Sequence, residues 1–157
     1  MSNKPLAVHS LPVLTQQGAE IACAAAQAKA KELGIDFNIA LVDATLHLLH
    51  FTRMPNAKLT SIDIALSKAF TAAGHRVPTA NYAKAEAVRP GGAAYSIHNS
   101  NGGRFSLIGG GVPITIDGQV VGAVGVSTGT PAQDGEVAQA GADAVVAWVK
   151  RSQGAKL

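Results

Sequence analysis

The sequence predicts a mixed α/β (α+β) fold, in which helices pack on a central antiparallel sheet of about five strands. Two observations predict this class. Segments with strand character come in pairs joined by short turns, and such hairpins make antiparallel neighbours. Helical segments do not alternate with single strands, which disfavours a parallel nucleotide-binding sheet. The predicted order is one helix, two strands, two helices, three strands and a closing helix.

The first three elements have clear sequence signals. Apolar residues recur at helical spacing over residues 14–33, with Thr15 as a suitable N-cap and Gly34 as a suitable C-terminal stop. Alternating apolar residues predict a strand at 37–42. The chain then turns through Asp43, Ala44 and Thr45 into a second predicted strand at 46–53.

The middle of the chain predicts two further helices. Thr60 and Asp63 have capping-box spacing, a hydroxyl followed three residues later by a carboxylate, and Gly74 is a suitable end for this second helix. Thr79 is then expected to cap a short helix at about 80–87. Residues 89–104 are irregular and rich in glycine and asparagine, and loops of this length are usually functional or covered by a partner.

The remaining segments complete the predicted sheet. Residues 105–108 are expected to form a short strand, interrupted by the glycines at 109–111. A second hairpin is predicted from strands at 112–116 and 119–127, because Asp117 and Gly118 form a strong turn pair. Thr130, Pro131 and Gln133 then have the pattern that begins a helix, which runs to about residue 150.

Composition limits the function classes. Hydrophobic residues make up 47% of the 157 residues and charged residues 15%, which favours a folded domain at 1–157 with its core at about 14–150. The net charge of +3 is scattered and aromatic residues are 4%, so a nucleic-acid interface is not expected. The low charge predicts surface covered in a homo-oligomer, and the excess of cations suits a small anionic ligand.

The sequence also predicts the cellular location. Residues 1–10 lack the apolar core of a signal peptide, and no segment reaches the roughly 18 apolar residues that a membrane span needs, so a cytoplasmic protein is expected. Cys23 is the single cysteine of the sequence, which excludes an internal disulfide or a multi-cysteine metal site. Because Cys23 lies in an alanine-rich helical segment, we expect it to be a core residue.

The glycine triplet at 109–111 is the most suggestive local feature. Consecutive glycines allow backbone amides to approach an anion, or they bend a strand as a bulge, and the pattern leaves both interpretations open. Basic side chains and loop histidines are the other candidates, although no nucleophile, base or catalytic residue can be assigned. The predicted ligand-binding residues are Arg53, Lys68, His75, Arg76, Thr79, His98, Asn101, Arg104, Gly109, Gly110 and Gly111.

Several ordered motifs carry a family resemblance. They are SIDIA at 61–65, KAFTA at 68–72, PT at 78–79, GGGVPI at 109–114 and GQVVGAVGVS at 118–127. Together they resemble the haem-binding GlcG/HbpS-like family over about residues 14–147. The resemblance implies a profilin-like fold, assembly into higher-order homo-oligomers and, as in some members of the family, non-covalent haem binding. From the residues themselves, His75, just after a helix, and His98, in the long loop, are the candidate axial ligands, and no other metal site is expected.

Three functions follow from the residues and the resemblance. The leading hypothesis is a protein that binds haem or a related tetrapyrrole. The second is an accessory protein or an isomerase- or lyase-like enzyme acting on a small organic acid in glycolate or aromatic-compound catabolism, with the acid near Lys68 and Arg104. The third is a purely structural subunit of an assembly. Sequence patterns alone do not decide between an enzyme and a binding protein.

Overall fold

The computed structural model describes residues 7–155. Within these residues the helices and strands are α1 (Gln16–Leu33), β1 (Asn38–Asp43), β2 (Leu48–Arg53), α2 (Ser61–His75), β3 (Gly111–Ile116), β4 (Gln119–Ser127) and α3 (Pro131–Gly154). Short 3-10 turns occupy much of the segment between α2 and β3, at Thr79–Lys84, Glu86–Val88, Tyr95–Asn99 and Asn101–Gly103. The predicted domain bounds of 1–157 include residues that lie outside the described part of the chain.

The strands form one antiparallel sheet with helices on both faces. The strand order is β2-β1-β4-β3. Because successive residues of a strand point to opposite faces, Ile39 and Leu41 of β1 pack with α1 and α3, whereas Ala40 and Val42 pack with α2. This arrangement confirms the α+β class with helices packed on an antiparallel sheet. The finer expectation of a profilin-like fold stays a prediction.

The expected fifth strand is wrong: the sheet has four strands, and residues 105–108 form none. Side chains take the backbone donors that a strand would use for its ladder. The amide of Ser106 donates to the Thr71 hydroxyl at 2.8 Å, and the amide of Ile108 donates to the Ser106 hydroxyl at 3.3 Å. Such local side-chain bonds compete with sheet pairing. The segment therefore follows α2 without joining the sheet.

The ends of α1 and α3 confirm the capping predictions. The Thr15 hydroxyl accepts the amide hydrogen of Gly18, and Gly34 has a left-handed conformation with φ of 68°. At α3 the Thr130 hydroxyl accepts from the amide of Gln133, whose side chain accepts from the amide of Thr130 in return. These bonds satisfy backbone groups that have no partner inside the helix.

The predicted ends of the middle helices are wrong in three details. Thr60 has helical dihedral angles and makes no side-chain capping bond. The second helix continues past Gly74 to His75, and Arg76 takes the left-handed conformation with φ of 60°; Gly74 instead leaves room for the Leu46 side chain. Thr79 begins a 3-10 helix and not an α-helix, and its hydroxyl accepts from the amide of Gly111, 32 residues away.

Helix α2 packs against the sheet through glycines. A Cβ atom on Gly125 of β4 would clash with the carbonyl oxygen of Ala65 and the amide nitrogen of Ala69, both in α2. A Cβ atom on Gly111 of β3 would clash with the carbonyl oxygen of Lys68. The helix backbone therefore lies directly on β3 and β4, and this contact determines where the side chains of α2 project.

The substitution Gly125→Ala is expected to destabilise the fold by about 2–3 kcal/mol, because the added methyl group overpacks a contact between two backbones. Gly135→Ala is the matched control. Gly135 lies in α3 with open space around its Cα, so alanine there is expected to be neutral or to stabilise by up to about 1 kcal/mol. Urea unfolding measures both changes; equal midpoints for Gly125→Ala and the parent chain would contradict the packing argument.

Candidate functional site

The candidate site lies along α2, where the irregular segment before β3 covers it. A groove of about 340 Å³ opens between the two, and we refer to it as the loop groove. Its lining residues are Asp63, Ile64, Ser67, His98, Gly103, Phe105, Ser106, Leu107 and Ile108. The size is in the range of small-molecule sites, and apolar side chains form much of the wall. Ile108 is substantially exposed there, which leaves apolar surface available to a ligand.

His98 is the most informative polar residue of the loop groove. Its Nδ1 atom is buried and has no hydrogen-bond partner. The imidazole packs edge-on against the ring of Tyr95, with centroids 5.6 Å apart. A buried nitrogen without a partner costs free energy unless water, a metal or a ligand satisfies it. The His98 ring therefore has one nitrogen whose bonding capacity the described residues leave unused.

A smaller groove of about 180 Å³ adjoins the first, and Phe105 lines both. We refer to it as the aromatic groove; its lining residues are Leu46, Phe70, Thr71, Gly74, His75, Asn101 and Phe105. The Nδ1 atom of His75 is hydrogen-bonded to the Tyr82 hydroxyl, and the two rings are stacked. Phe105 meets both rings edge-on, which positions the Phe105 side chain between the two grooves.

Arg104 lies at the edge of these grooves, in the chain between Gly103 and Phe105. Its guanidinium carbon is 4.2 Å from the centroid of the Phe70 ring, a cation–π contact. Its Nε atom donates to the carbonyl oxygen of Asn101 at 3.1 Å. The remaining nitrogens of an exposed guanidinium can bind a carboxylate.

Lys68 is almost fully buried, with 1% of its side chain exposed. Its Nζ atom donates to Oδ2 of Asp134 at 2.6 Å and to the carbonyl oxygen of Val126 at 3.0 Å. Burial lowers the pKa of Lys68 and raises the pKa of Asp134, while the attraction between the two groups opposes both shifts. The charge of Lys68 is thus balanced inside the protein by the Asp134 carboxylate.

The glycine triplet packs against this ion pair. Gly110 has φ of 124°, and a Cβ atom there would meet both Lys68 Nζ and the Asp134 side chain. The amide of Gly111 donates to the Thr79 hydroxyl at 2.8 Å, and the carbonyl oxygen of Gly110 accepts from the amide of Val126. Glycine is required at 110 and 111 because side chains of neighbouring elements lie directly against the backbone there. An anion-binding role for the amides of residues 109–111 stays a prediction.

The structure does not bring the predicted ligand-binding residues together in one site. Lys68, Thr79, Gly110 and Gly111 meet in the interior between α2 and β3. His75 and Asn101 line the aromatic groove, and His98 lines the loop groove. Gly109 packs on Ala80 and Pro131. Two residues lie elsewhere: Arg53 is exposed at the end of β2, and Arg76 lines a different groove beyond the end of α2.

Sequence reasoning missed Asp134, Tyr82 and Ser106. A signal for Asp134 existed, because a lysine on an apolar helical face needs a buried carboxylate as its partner. The pairing spans 66 residues, and nothing in the pattern selects Asp134 among the ten acidic residues of the chain. Tyr82 and Ser106 had no signal, since their roles depend on how the segment after α2 folds back.

Two absences hold for residues 7–155. No group of three or more histidine, cysteine or acidic side chains there could hold a metal ion. None of the helices found in that part of the chain combines the length and the hydropathy that a membrane span requires.

The family model for "Haem degrading protein HbpS-like" matches residues 14–143. This chain belongs to the HbpS-like family. The crystal structure of the Klebsiella pneumoniae protein ORFY is 33% identical, covers 91% of this chain and 97% of that one, and superposes with a TM-score of 0.84. A crystal structure of a PduOC–haem complex is 30% identical, covers 84% and 94%, and has a TM-score of 0.78.

A curated HbpS-like relative agrees with these matches. Protein GlcG of Escherichia coli strain K12 is 39% identical over 115 residues, which is 73% of this chain and 81% of GlcG. The family resemblance drawn from the sequence motifs is therefore confirmed, and the matched region contains both grooves and the Lys68–Asp134 pair.

The substitution Lys68→Met is expected to lower the free energy of unfolding by about 3–5 kcal/mol, because it leaves the Asp134 carboxylate buried without its partner. The double variant Lys68→Met/Asp134→Leu removes both charges and is expected to recover most of that loss. Lys29→Met serves as the surface control: Lys29 pairs with the partly exposed carboxylates Glu32 and Glu136, and its loss should change stability by about 1 kcal/mol or less. Denaturant unfolding of the three variants provides the comparison; a single variant as stable as the double variant would refute the argument.

Proposed function

We propose that this protein binds haem or a related tetrapyrrole non-covalently in the loop groove, with His98 as the axial ligand. Two observations support this most: His98 lines a groove with largely apolar walls, and its buried Nδ1 atom has no hydrogen-bond partner among the described residues. An imidazole nitrogen is a common axial ligand of haem iron. These residues thus fit haem in two respects: His98 offers an imidazole to the iron, and the apolar walls of the loop groove suit the ring.

The walls of the loop groove suit a flat apolar ring system. Ile64 of α2 lies on one side, and Phe105, Leu107 and Ile108 belong to the segment on the other side. Burial of apolar ligand surface contributes about 25 cal/mol per Å², so these side chains would provide most of the binding free energy. Bound haem would supply a redox-active iron; the residues named here hold the ring and exclude water from it.

The charges around the groove orient the ligand. Asp63, in the first turn of α2, lines the loop groove and repels the carboxylates of a tetrapyrrole. Arg104 follows Gly103, which lines the same groove, and its guanidinium lies over Phe70 beside the aromatic groove. Arg104 is therefore the residue that would bind the propionates of a tetrapyrrole, and Asp63 would disfavour them at its end of the groove.

The relatives support the ligand class. The matching family is described as haem-degrading, and one solved relative is a complex with haem. The His75 ring is a weaker candidate for the iron ligand, because it lines the smaller groove of about 180 Å³ and one face of the ring is stacked on Tyr82. His98 is the histidine that the geometry favours.

The second hypothesis, an accessory protein or enzyme for a small organic acid, needs a cation that a carboxylate can reach. Lys68 is a poor candidate, because its charge is already balanced by Asp134 in the interior. A role in acid metabolism therefore depends on another basic residue.

Titration with haemin tests the proposal. The parent chain is expected to shift the Soret band at micromolar protein, and His98→Ala is expected to change the spectrum and weaken binding roughly tenfold or more. His75→Ala is the matched control and should bind with nearly unchanged affinity. A parent chain that produces no Soret shift would rule out haem binding, and a loss confined to His75→Ala would reject His98 as the ligand.

We also infer that the protein assembles into a homo-oligomer. An apolar groove of about 260 Å³ lies between α1 and α3, with Ile21 and Val145 among its lining residues, and Trp148 at its edge is 40% exposed. Exposed apolar patches of this kind often mark an interface. Light scattering is expected to return a mass above that of the 15.9 kDa chain. Trp148→Glu should lower that mass, and a monomeric parent chain would contradict the inference.

A further inference from the structure

A third groove, of about 460 Å³, lies where the C-terminal end of α2 meets the β3–β4 turn and the segment before α1. We refer to it as the Arg76 groove. Helix α2 contributes Ala73 and the capping residue Arg76, the hairpin contributes Thr115, Gly118 and Gln119, and Ser10 comes from the segment before α1. None of these residues lines the loop groove or the aromatic groove.

The chemistry of the Arg76 groove is that of an anion site. None of the ion pairs found among residues 7–155 involves Arg76, so its guanidinium is not neutralised by a described carboxylate. The hydroxyls of Ser10 and Thr115 and the amide of Gln119 add hydrogen-bond donors. Among the residues that the structure describes, no aspartate or glutamate lines this groove, and Asp117 of the adjacent turn is not part of the lining.

We propose that the Arg76 groove binds a small organic carboxylate. A guanidinium binds a carboxylate with two parallel hydrogen bonds, which gives both affinity and orientation. Leu11, Ala44, Ala73 and Val120 make part of the wall apolar, so the groove suits an anion that carries a short carbon body better than a fully polar inorganic ion. This site is separate from the proposed haem site and does not depend on it.

Arg76 is the residue on which binding depends. The C-terminal end of a helix has a partial negative charge that disfavours a bound anion. Arg76 lies at this end of α2 and offsets that charge. Without its guanidinium, the described lining offers a carboxylate the His9 imidazole and the hydroxyl and amide donors of Ser10, Thr115 and Gln119. Loss of Arg76 should therefore weaken binding at least tenfold, whereas loss of a single hydroxyl should have a smaller effect.

Malonate and lactate are suitable probes, with inorganic phosphate as the comparison. Titrations into the nitrogen-15-labelled full chain at constant ionic strength are followed by amide chemical shifts. Malonate or lactate is expected to shift the resonances of residues 76, 115, 118 and 119 in a saturable manner, with a Kd of about 1 mM or below. Arg76→Gln should weaken binding at least tenfold. Arg53→Gln removes an exposed arginine at the end of β2 and is the matched control, with unchanged binding expected.

The outcomes separate this proposal from the haem proposal. The malonate shifts should persist in His98→Ala, and a chain that fails to bind haemin can still bind malonate. Shifts that do not saturate, or an Arg76→Gln variant that binds as well as Arg53→Gln, would overturn the site. Tighter binding of phosphate than of either carboxylate would overturn the ligand class.

Discussion

The buried ion pair between Lys68 and Asp134 connects three elements of the fold. Lys68 belongs to α2 and Asp134 to the first turn of α3, and the same ammonium group donates to the carbonyl oxygen of Val126 in β4. An unpaired charge in this position would cost several kcal/mol, so these elements keep one relative placement. Gly110 packs over the ammonium where no side chain fits. Lys68 and the glycine triplet therefore pack together as one unit. This unit fixes the position of α2, which contributes lining residues to the loop groove, the aromatic groove and the Arg76 groove.

Local signals predicted the fold well where the stabilising contacts are themselves local. Thr15, Gly34 and Thr130 bond to backbone within a few residues, so their roles can be inferred from neighbouring sequence. The hairpins are similar, because a short turn brings adjacent strands together. The failures involve distant partners: Thr79 accepts from Gly111, and Thr71 takes the amide of Ser106 that a fifth strand would have used. Sequence spacing contains no information about such pairs.

The candidate site was only partly predictable for the same reason. Residue types suggested Lys68, His98 and Arg76 as candidates, but the fold gives them different environments. The charge of Lys68 is balanced by Asp134 in the interior, and His98 has a buried nitrogen without a partner beside an apolar groove. Arg76 lines a groove with no carboxylate among its described lining residues. Charge and residue type do not distinguish these three environments. Burial and the identity of the partner do, and both depend on how the segment after α2 folds over that helix.

The charged residues at the two ends of α2 have opposite effects on an anionic ligand. Asp63 near its N-terminus and Arg76 at its C-terminus each complement the partial charge of the helix end beside them. Asp63 therefore stabilises the helix but repels an anionic ligand, so binding in the loop groove has to come from apolar burial and a bond to His98. Arg76 complements the charge of the helix end and, in the proposed site, also attracts the anion. Because that attraction is between charges at an exposed residue, affinity at the Arg76 groove is expected to fall with salt more steeply than affinity at the apolar loop groove.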